Sequence, residues 1–330
     1  MTEDVVSLFT VLQSADRELK AGRSAAPRTW ATGFEPLDTY LGGGMRAGEL
    51  LLLGGPQGLG KTTLALQFLR HVVSQGGRGL LFSFEHDDQT LLERFVAMGA
   101  AEFAGQEGPP LRVVRQAMQA VAEGSSLGDR LADTHGGAEA LAEIADWGRR
   151  LELFQASGWH TTVDVIRERV LKACAEGDAP VVVVDYLQKV SSDQHTAEEE
   201  RVTEVVEGLK DLSLEAGVPV VAVVAADREG IIAGKRLQVH NLRGSSALAY
   251  EADVVLLLNE KYDIVARHHL VYDTGNAERF RAYAVLSIEK NRSGLDKVDL
   301  EFQKRFEQGR FERQGQPVQE QLVDARLFTD

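Results

Sequence analysis

Apolar positions along the chain follow two alternating periods. Val5, Leu8, Phe9, Leu12, Ala15 and Leu19 recur at helical spacing over residues 4–20 and stop at Gly22, predicting one amphipathic helix and then a polar linker through Pro27. That stripe must be buried either on its own domain or on a neighbouring copy. Strand-length apolar runs follow at Leu50 to Leu53, Gly79 to Phe84, Leu151 to Gln155, Val181 to Val184 and Val218 to Val224. They are nearly continuous rather than alternating, as strands buried on both faces should be. Helix-period stretches lie between them: Leu64, Phe68 and Val72; Leu91, Leu92, Phe95 and Val96; residues 163–175; then Val202, Val205, Val206, Leu209 and Leu212. Residues 100–150 are poorer in strand signals and break into helical pieces near 113–122 and 138–147. Three more strand-like runs cover 254–258, 282–288 and 298–302. The repeated β-crossover-β pattern predicts an α/β fold with a mostly parallel central sheet and helices on both faces.

The bulk numbers narrow the class. A chain of 330 residues with 44% hydrophobic and 26% charged residues fits a globular protein of one large or two modest domains. The single cysteine, Cys174, excludes an internal disulfide framework and reads as a small core residue of a helix. The first residues are too polar for a signal peptide and no apolar run approaches ~18 residues, so the expectation is a cytoplasmic chain without membrane contact. The net charge of −14 runs against the basic field of proteins that grip nucleic acid non-specifically.

The chemistry is concentrated at a few positions. Gly55-Pro-Gln-Gly-Leu-Gly-Lys-Thr-Thr63 matches G-x-x-x-x-G-K-[ST], between a predicted strand and a predicted helix. Gly55, Gly58 and Gly60 allow a tight turn whose N–H groups face one concavity, at a helix N-terminus where phosphate is favoured. Lys61 supplies positive charge for β- and γ-phosphates, the Thr62 hydroxyl suits Mg²⁺, and Thr63 completes the nucleotide-binding set. Asp185, ending four valines, is the type of strand-terminal carboxylate that holds Mg²⁺ in P-loop proteins. Glu85, after the neighbouring strand, is placed to polarise an attacking water, with Asp87 and Asp88 as competitors or helix caps. Lys290 and Arg292 leave a late strand two residues apart and point the same way. Arg94 is a candidate to lie over the nucleotide base, with an ordinary surface position as the alternative.

With these segments in this order, the chain resembles the C-terminal ATPase domain of DnaB-type replicative helicases, a RecA-like P-loop NTPase fold. The resemblance covers about residues 28–313, leaving 1–27 as an arm helix and linker and 314–330 as a tail. It rests on Thr32-Gly-Phe-Glu-Pro-Leu-Asp38, the P-loop, Phe82-Ser83-Phe84-Glu85, Val184-Asp185-Tyr186-Leu187-Gln188, Val218-Pro219-Val220-Val221-Ala222, Asn241-Leu242-Arg243-Gly244-Ser245, Glu251-Ala252-Asp253 and Lys290-Asn291-Arg292-Ser293-Gly294. The resemblance implies ATP and Mg²⁺ as cofactors, Glu85 as catalytic glutamate and Asp185 as the Mg²⁺ ligand. It implies Arg292 as an arginine finger acting in trans, with Lys290 beside it near the γ-phosphate. It also implies a homo-oligomer, a six-membered ring or a filament, and helicase or translocase activity on single-stranded DNA. Arg243 and Lys235 are the candidate DNA contacts, from a segment that also offers Arg228, Arg236 and His240 but few aromatics.

Three features depart from that family. None of the 330 residues is expected to match its N-terminal helical domain. Ala225 stands where the family carries a glutamine linking nucleotide state to the DNA loops. Glu198-Glu199-Glu200 lie in the first segment expected to face the pore. These departures keep a second expectation open: a nucleotide-switched assembly or regulatory ATPase whose partner is another protein.

Overall fold

In a computed structural model, which describes residues 5–120, 123–227, 234–271 and 274–324, the predicted elements form a single layered α/β body behind a projecting helix. The Ser7 hydroxyl accepts the Thr10 N–H at 3.1 Å and caps α1, Leu8–Lys20. The apolar stripe of α1 lies open, with Leu8, Phe9 and Leu12 all more than half exposed. Nothing within this chain covers it among the described residues.

Two strands too short to register in the sequence pattern follow. Thr29–Trp30 (β1) pairs antiparallel with Met45–Arg46 (β2) around the helix α2, Glu35–Tyr40. The central sheet then contains β3 (Leu50–Gly55), β4 (Gly79–Ser83), β5 (Leu151–Gln155), β6 (Val181–Asp185), β7 (Val220–Ala225), β8 (Val254–Glu260), β9 (Tyr283–Asn291), β10 (Val298–Arg305), β11 (Arg310–Phe311) and β12 (Gln316–Pro317). Their order is β11-β10-β9-β8-β3-β7-β6-β4-β5, with β12 on β10. From β8 to β5 every pairing is parallel, and from β9 outward every pairing is antiparallel.

The valine run 181–184 shows why the strands lack alternation. Val181 and Val183 enter one core with Leu51, Leu53 and the helix α3 (Lys61–Ser74). Val182 and Val184 enter the other core with Leu50, Leu52 and the helices α8 (Val163–Glu176) and α9 (Glu198–Ala216). Both faces exclude water, so both sets of positions are apolar. At the sheet edge β5 relaxes this rule, and Glu152 and Leu153 are exposed.

Residues 100–150 build a helical layer beside α3. It comprises α4 (Asp88–Ala104), α5 (Leu111–Gln119), α6 (Leu127–Leu131) and α7 (Gly137–Trp147), around a small core of Val96, Ala97, Val114 and Leu131. Arg70, 1% exposed on α3, pins the layer by ion pairs to Glu102 of α4 and Glu143 of α7. Removing the cation leaves Glu143 without its partner and Glu102 with Arg313 alone, at 2.6 Å, in a half-buried seam. Arg70→Ala is expected to destabilise the fold by about 3 kcal/mol, read as a lower denaturant midpoint. No helix among the described residues is long and apolar enough to cross a membrane.

Candidate functional site

The C-terminal ends of β3, β4, β6 and β7 open into one cavity of about 1030 Å³, as ligand sites in open parallel sheets do. Gly60 hands the P-loop into α3 at φ 88°, in the left-handed region. A Cβ there would lie 2.8 Å from the Phe311 ring and 2.9 Å from Phe306, so both backbone and space demand glycine. Lys61 folds back over the loop, its Nζ donating to the carbonyls of Gly55 at 2.8 Å and Pro56 at 2.9 Å. Burial draws its pKa down, opposed by the negative charges of Asp185 and Glu85.

Thr62 Oγ1 donates to Asp185 Oδ2 at 2.7 Å. Asp185 is 3% exposed, and its other oxygen, Oδ1, is buried without a hydrogen-bond partner. Burial pushes the Asp185 carboxyl up to about 6, with Thr62, Lys61 and Arg94 pulling the other way. An orphaned carboxylate oxygen beside a threonine hydroxyl is a donor set suited to a hard divalent cation. The residues therefore fit Mg²⁺.

The acidic candidates after β4 take different positions. Ser83 Oγ donates to the His86 carbonyl at 2.7 Å and accepts its N–H at 3.1 Å, closing a turn from which exposed Glu85 lines the cavity. Asp87 instead caps α4, accepting the Thr90 N–H at 2.7 Å. That bond to Thr90 holds the Asp87 carboxyl low. Asp88 begins the helix and does not line the cavity. Arg94 takes the first of the two positions expected for it, in the cavity. It is half-buried in the cavity wall, not on the surface, and it feels the charges of Asp185 and Glu85.

Several lining residues have no sequence signal. Leu111, Phe306 and Gly309 form an apolar wall beyond the P-loop. Gln67 on α3 secures that wall, exchanging hydrogen bonds of 2.9 and 2.8 Å with the Phe311 backbone. At the other side Gln188, 6% exposed, takes the Ala225 N–H at 3.1 Å and donates to the Arg243 carbonyl at 2.8 Å. A glutamine from the segment after β6 thus ties the end of β7 to the Arg243 turn, at the position where Ala225 offers no side-chain bond. The Asp185-Tyr186-Leu187-Gln188 string contains that residue, but nothing in the string announces the bridge.

The candidate DNA contacts divide. Arg243 lies at the rim of the same cavity, its guanidinium paired with Glu198 at 2.8 Å. Arg236 is committed internally, to Asp299 at 2.6 Å and Glu289 at 3.3 Å, so it is a structural cation. Lys235 is partly buried and His240 exposed, while Arg228 lies outside the described residues.

Lys290 and Arg292 stand at the opposite end of the sheet. Lys290 Nζ donates to the carbonyls of Ala249 and Tyr250 at 2.8 and 3.1 Å, at the end of the helix α10, Ala247–Glu251. Arg292 donates to the Tyr250 carbonyl at 2.7 Å and to Asp253 Oδ1 at 3.1 Å. Asn291 pairs with Val254, which pairs with Leu51, four residues before Gly55. At about 3.3 Å per residue, roughly 13 Å of strand separates this end from the P-loop. Neither side chain lines the chain's own cavity.

A parallel sheet with a P-loop on its central strand, a carboxylate at the next strand but one, and antiparallel strands continuing one edge defines a RecA-like P-loop domain. The chain belongs to the DnaB-like helicase C terminal domain family, whose model matches residues 30–312. It is similar to the replicative DNA helicase DnaB of Mycoplasma pneumoniae, 27% identical over 278 residues, covering 82% of this chain and 54% of that protein. It is also similar to that of Treponema pallidum, 26% identical over 288 residues, covering 84% and 54%. The chain thus spans about half the length of these relatives. Among solved structures, an ATPase domain superposes with a TM-score of 0.70 at 20% identity, over 93% of this chain and 99% of that one. A DnaB-like replicative helicase, from a structure describing its interactions with primase, gives 0.71 at 19% identity, over 92% and 68%. Those two likenesses support the fold.

Proposed function

We propose that this chain hydrolyses ATP with Mg²⁺, that it does so between neighbouring copies of itself, and that the energy drives movement on single-stranded DNA. The observation that carries the first part is the Thr62–Asp185 pair, with the unpartnered Oδ1 of Asp185 beside the cavity that Lys61 enters. Thr62 and Asp185 would hold Mg²⁺, which when bound offsets phosphate charge. Lys61 stabilises the charge on the transferred phosphoryl group, and Gly58 and Gly60 let backbone N–H groups approach it. Thr63, at the start of α3, lies along the same helix N-terminus. Glu85 orients and polarises the attacking water. Arg94 adds positive charge beside the γ-phosphate end, and Phe306 with Leu111 gives an apolar surface for the base.

Assembly follows from distance. Arg292 cannot serve its own cavity, so a finger role needs a head-to-tail neighbour, closing a ring or extending a filament. The open stripe of α1 is a surface such a neighbour could cover, consistent with residues 1–27 as an arm, 28–313 as motor and 314–330 as tail. DNA as the track rests on the family and its relatives' names.

A second reading draws on the segment that would meet DNA. Arg243 is neutralised by Glu198 and Arg236 by Asp299 and Glu289. A protein-directed assembly ATPase has no need of those two cations for a nucleic-acid backbone. Steady-state ATPase with and without single-stranded DNA separates the two. Turnover that is abolished by Lys61→Ala and rises several-fold with DNA supports the motor. Turnover unaffected by DNA at low salt overturns it in favour of the protein-directed reading.

A further inference from the structure

The structure assigns to Asp253 the task of aiming Arg292, which makes Asp253 a positioning residue for the neighbour's active site. The assignment deepens the proposed function and rests on Arg292 acting in trans. Asp253 immediately precedes β8 and is 6% exposed. Its Oδ2 accepts the Leu50 N–H at 2.8 Å and Lys210 Nζ at 2.7 Å. Its Oδ1 accepts Arg292 Nη1 at 3.1 Å, and its backbone carbonyl accepts the Arg292 N–H at 2.9 Å. Lys210 is itself held by the Gly48 carbonyl at 2.9 Å. The carboxylate is therefore fixed by backbone and lysine before it meets the Arg292 side chain.

Arg292 has the opposite character. Its side chain is 50% exposed, and a free arginine at the surface samples many rotamers. Two contacts restrict it here, Asp253 Oδ1 and the Tyr250 carbonyl. Those bonds leave other guanidinium N–H donors unused. The remaining donors project from a defined place at the end of the sheet away from the chain's own cavity. A finger must arrive at the transferred phosphate in one geometry, and small misplacement is costly. Lys210 already compensates the Asp253 charge, so the Arg292 contact is not required to keep Asp253 from being a lone buried charge. Its consequence is on the arginine.

Mixed assemblies of the full chain provide the test. Asp253→Asn is expected to lower kcat at least 10-fold with KM for ATP within about twofold, because own-cavity binding is untouched. Asp253→Glu, which keeps the charge one methylene further out, is expected to fall between the two. Neither Asp253→Asn nor Lys61→Ala turns over alone at the wild-type rate. Mixed one to one, they should recover turnover toward about a quarter of wild type, as an intact P-loop meets an intact finger by random assembly. If Arg292→Ala complements Lys61→Ala but Asp253→Asn does not, Asp253 acts on its own subunit and the assignment is overturned. It is equally overturned if Asp253→Asn and Asp253→Glu both keep wild-type kcat while Arg292→Ala is inactive. Should Asp253→Asn fail to fold, the mixing experiment is run with Asp253→Glu and read in the same way. Full turnover by Arg292→Ala itself would remove the trans reading, and the Asp253 assignment with it.

Discussion

Arg292→Ala is expected to reduce ATP turnover by about 10³-fold or more while the protein stays folded and binds nucleotide. The expectation combines two facts that conflict in a single chain. The side chain is built into a defined position by Asp253 and Tyr250, yet it stands at the end of the sheet remote from its own P-loop. Only a second copy can bring them together. Turnover per chain should therefore climb with protein concentration in the wild type, and the climb should disappear in the variant. Lys290 shares the Tyr250 carbonyl with Arg292, and burial together with the charge of Arg292 lowers its pKa. Lys290→Ala is accordingly expected to act in the same direction with a smaller loss. Wild-type turnover by Arg292→Ala, at any concentration, would confine the chemistry to residues of one chain.

Asp185→Asn should separate stability from activity. In the nucleotide-free protein the Asp185 carboxyl is buried and its pKa is raised to about 6, against an ordinary 3.8. A carboxyl raised in the folded state favours folding most below its unfolded pKa, and that contribution is lost as pH rises through the folded value. Above pH 6 the ionised group therefore weighs against the folded state, by roughly 3 kcal/mol from the shift. Asparagine keeps an acceptor for Thr62 and removes the charge. The variant should melt several degrees higher than wild type at pH 8 in chelator, with the gap closing as pH falls toward 4. Its Mg²⁺-dependent turnover should be lost. Adding Mg²⁺ and nucleotide should reverse the order of stabilities, since only the wild type gains a ligand for its orphaned oxygen. Equal melting of the two proteins at pH 8 would mean that burial does not penalise the carboxylate.

These two sites differ in how they could be read from the chain. The P-loop, the four valines before Asp185 and the helix after Lys61 are legible because each is local. A tight turn needs glycine, a strand buried on both faces needs continuous apolar residues, and a helix repeats every three to four positions. The same local logic predicts α1 and its apolar stripe from the spacing of Leu8, Phe9 and Leu12, while the structure shows that the stripe is left open. Tertiary structure alone decided the rest. The sequence prefers Glu85 but leaves Asp87 as a competitor, and a serine turn and a helix cap separate the two in space. Arg94 reads as either a cavity or a surface cation until α4 sets it in the cavity wall, within the field of Asp185 and Glu85. Phe306 and Leu111 lie far apart in the chain and meet in one wall because the last antiparallel strands fold back over the P-loop. Arg236 and Arg243 look alike as basic loop residues, yet one is locked to Asp299 and the other shares a cavity rim with Glu198. Periodicity and motif are properties of neighbours in the chain, and so the sequence determined the elements and the phosphate loop. Partner choice for a charged or aromatic side chain depends on which distant strand arrives beside it, and only the assembled sheet decides that.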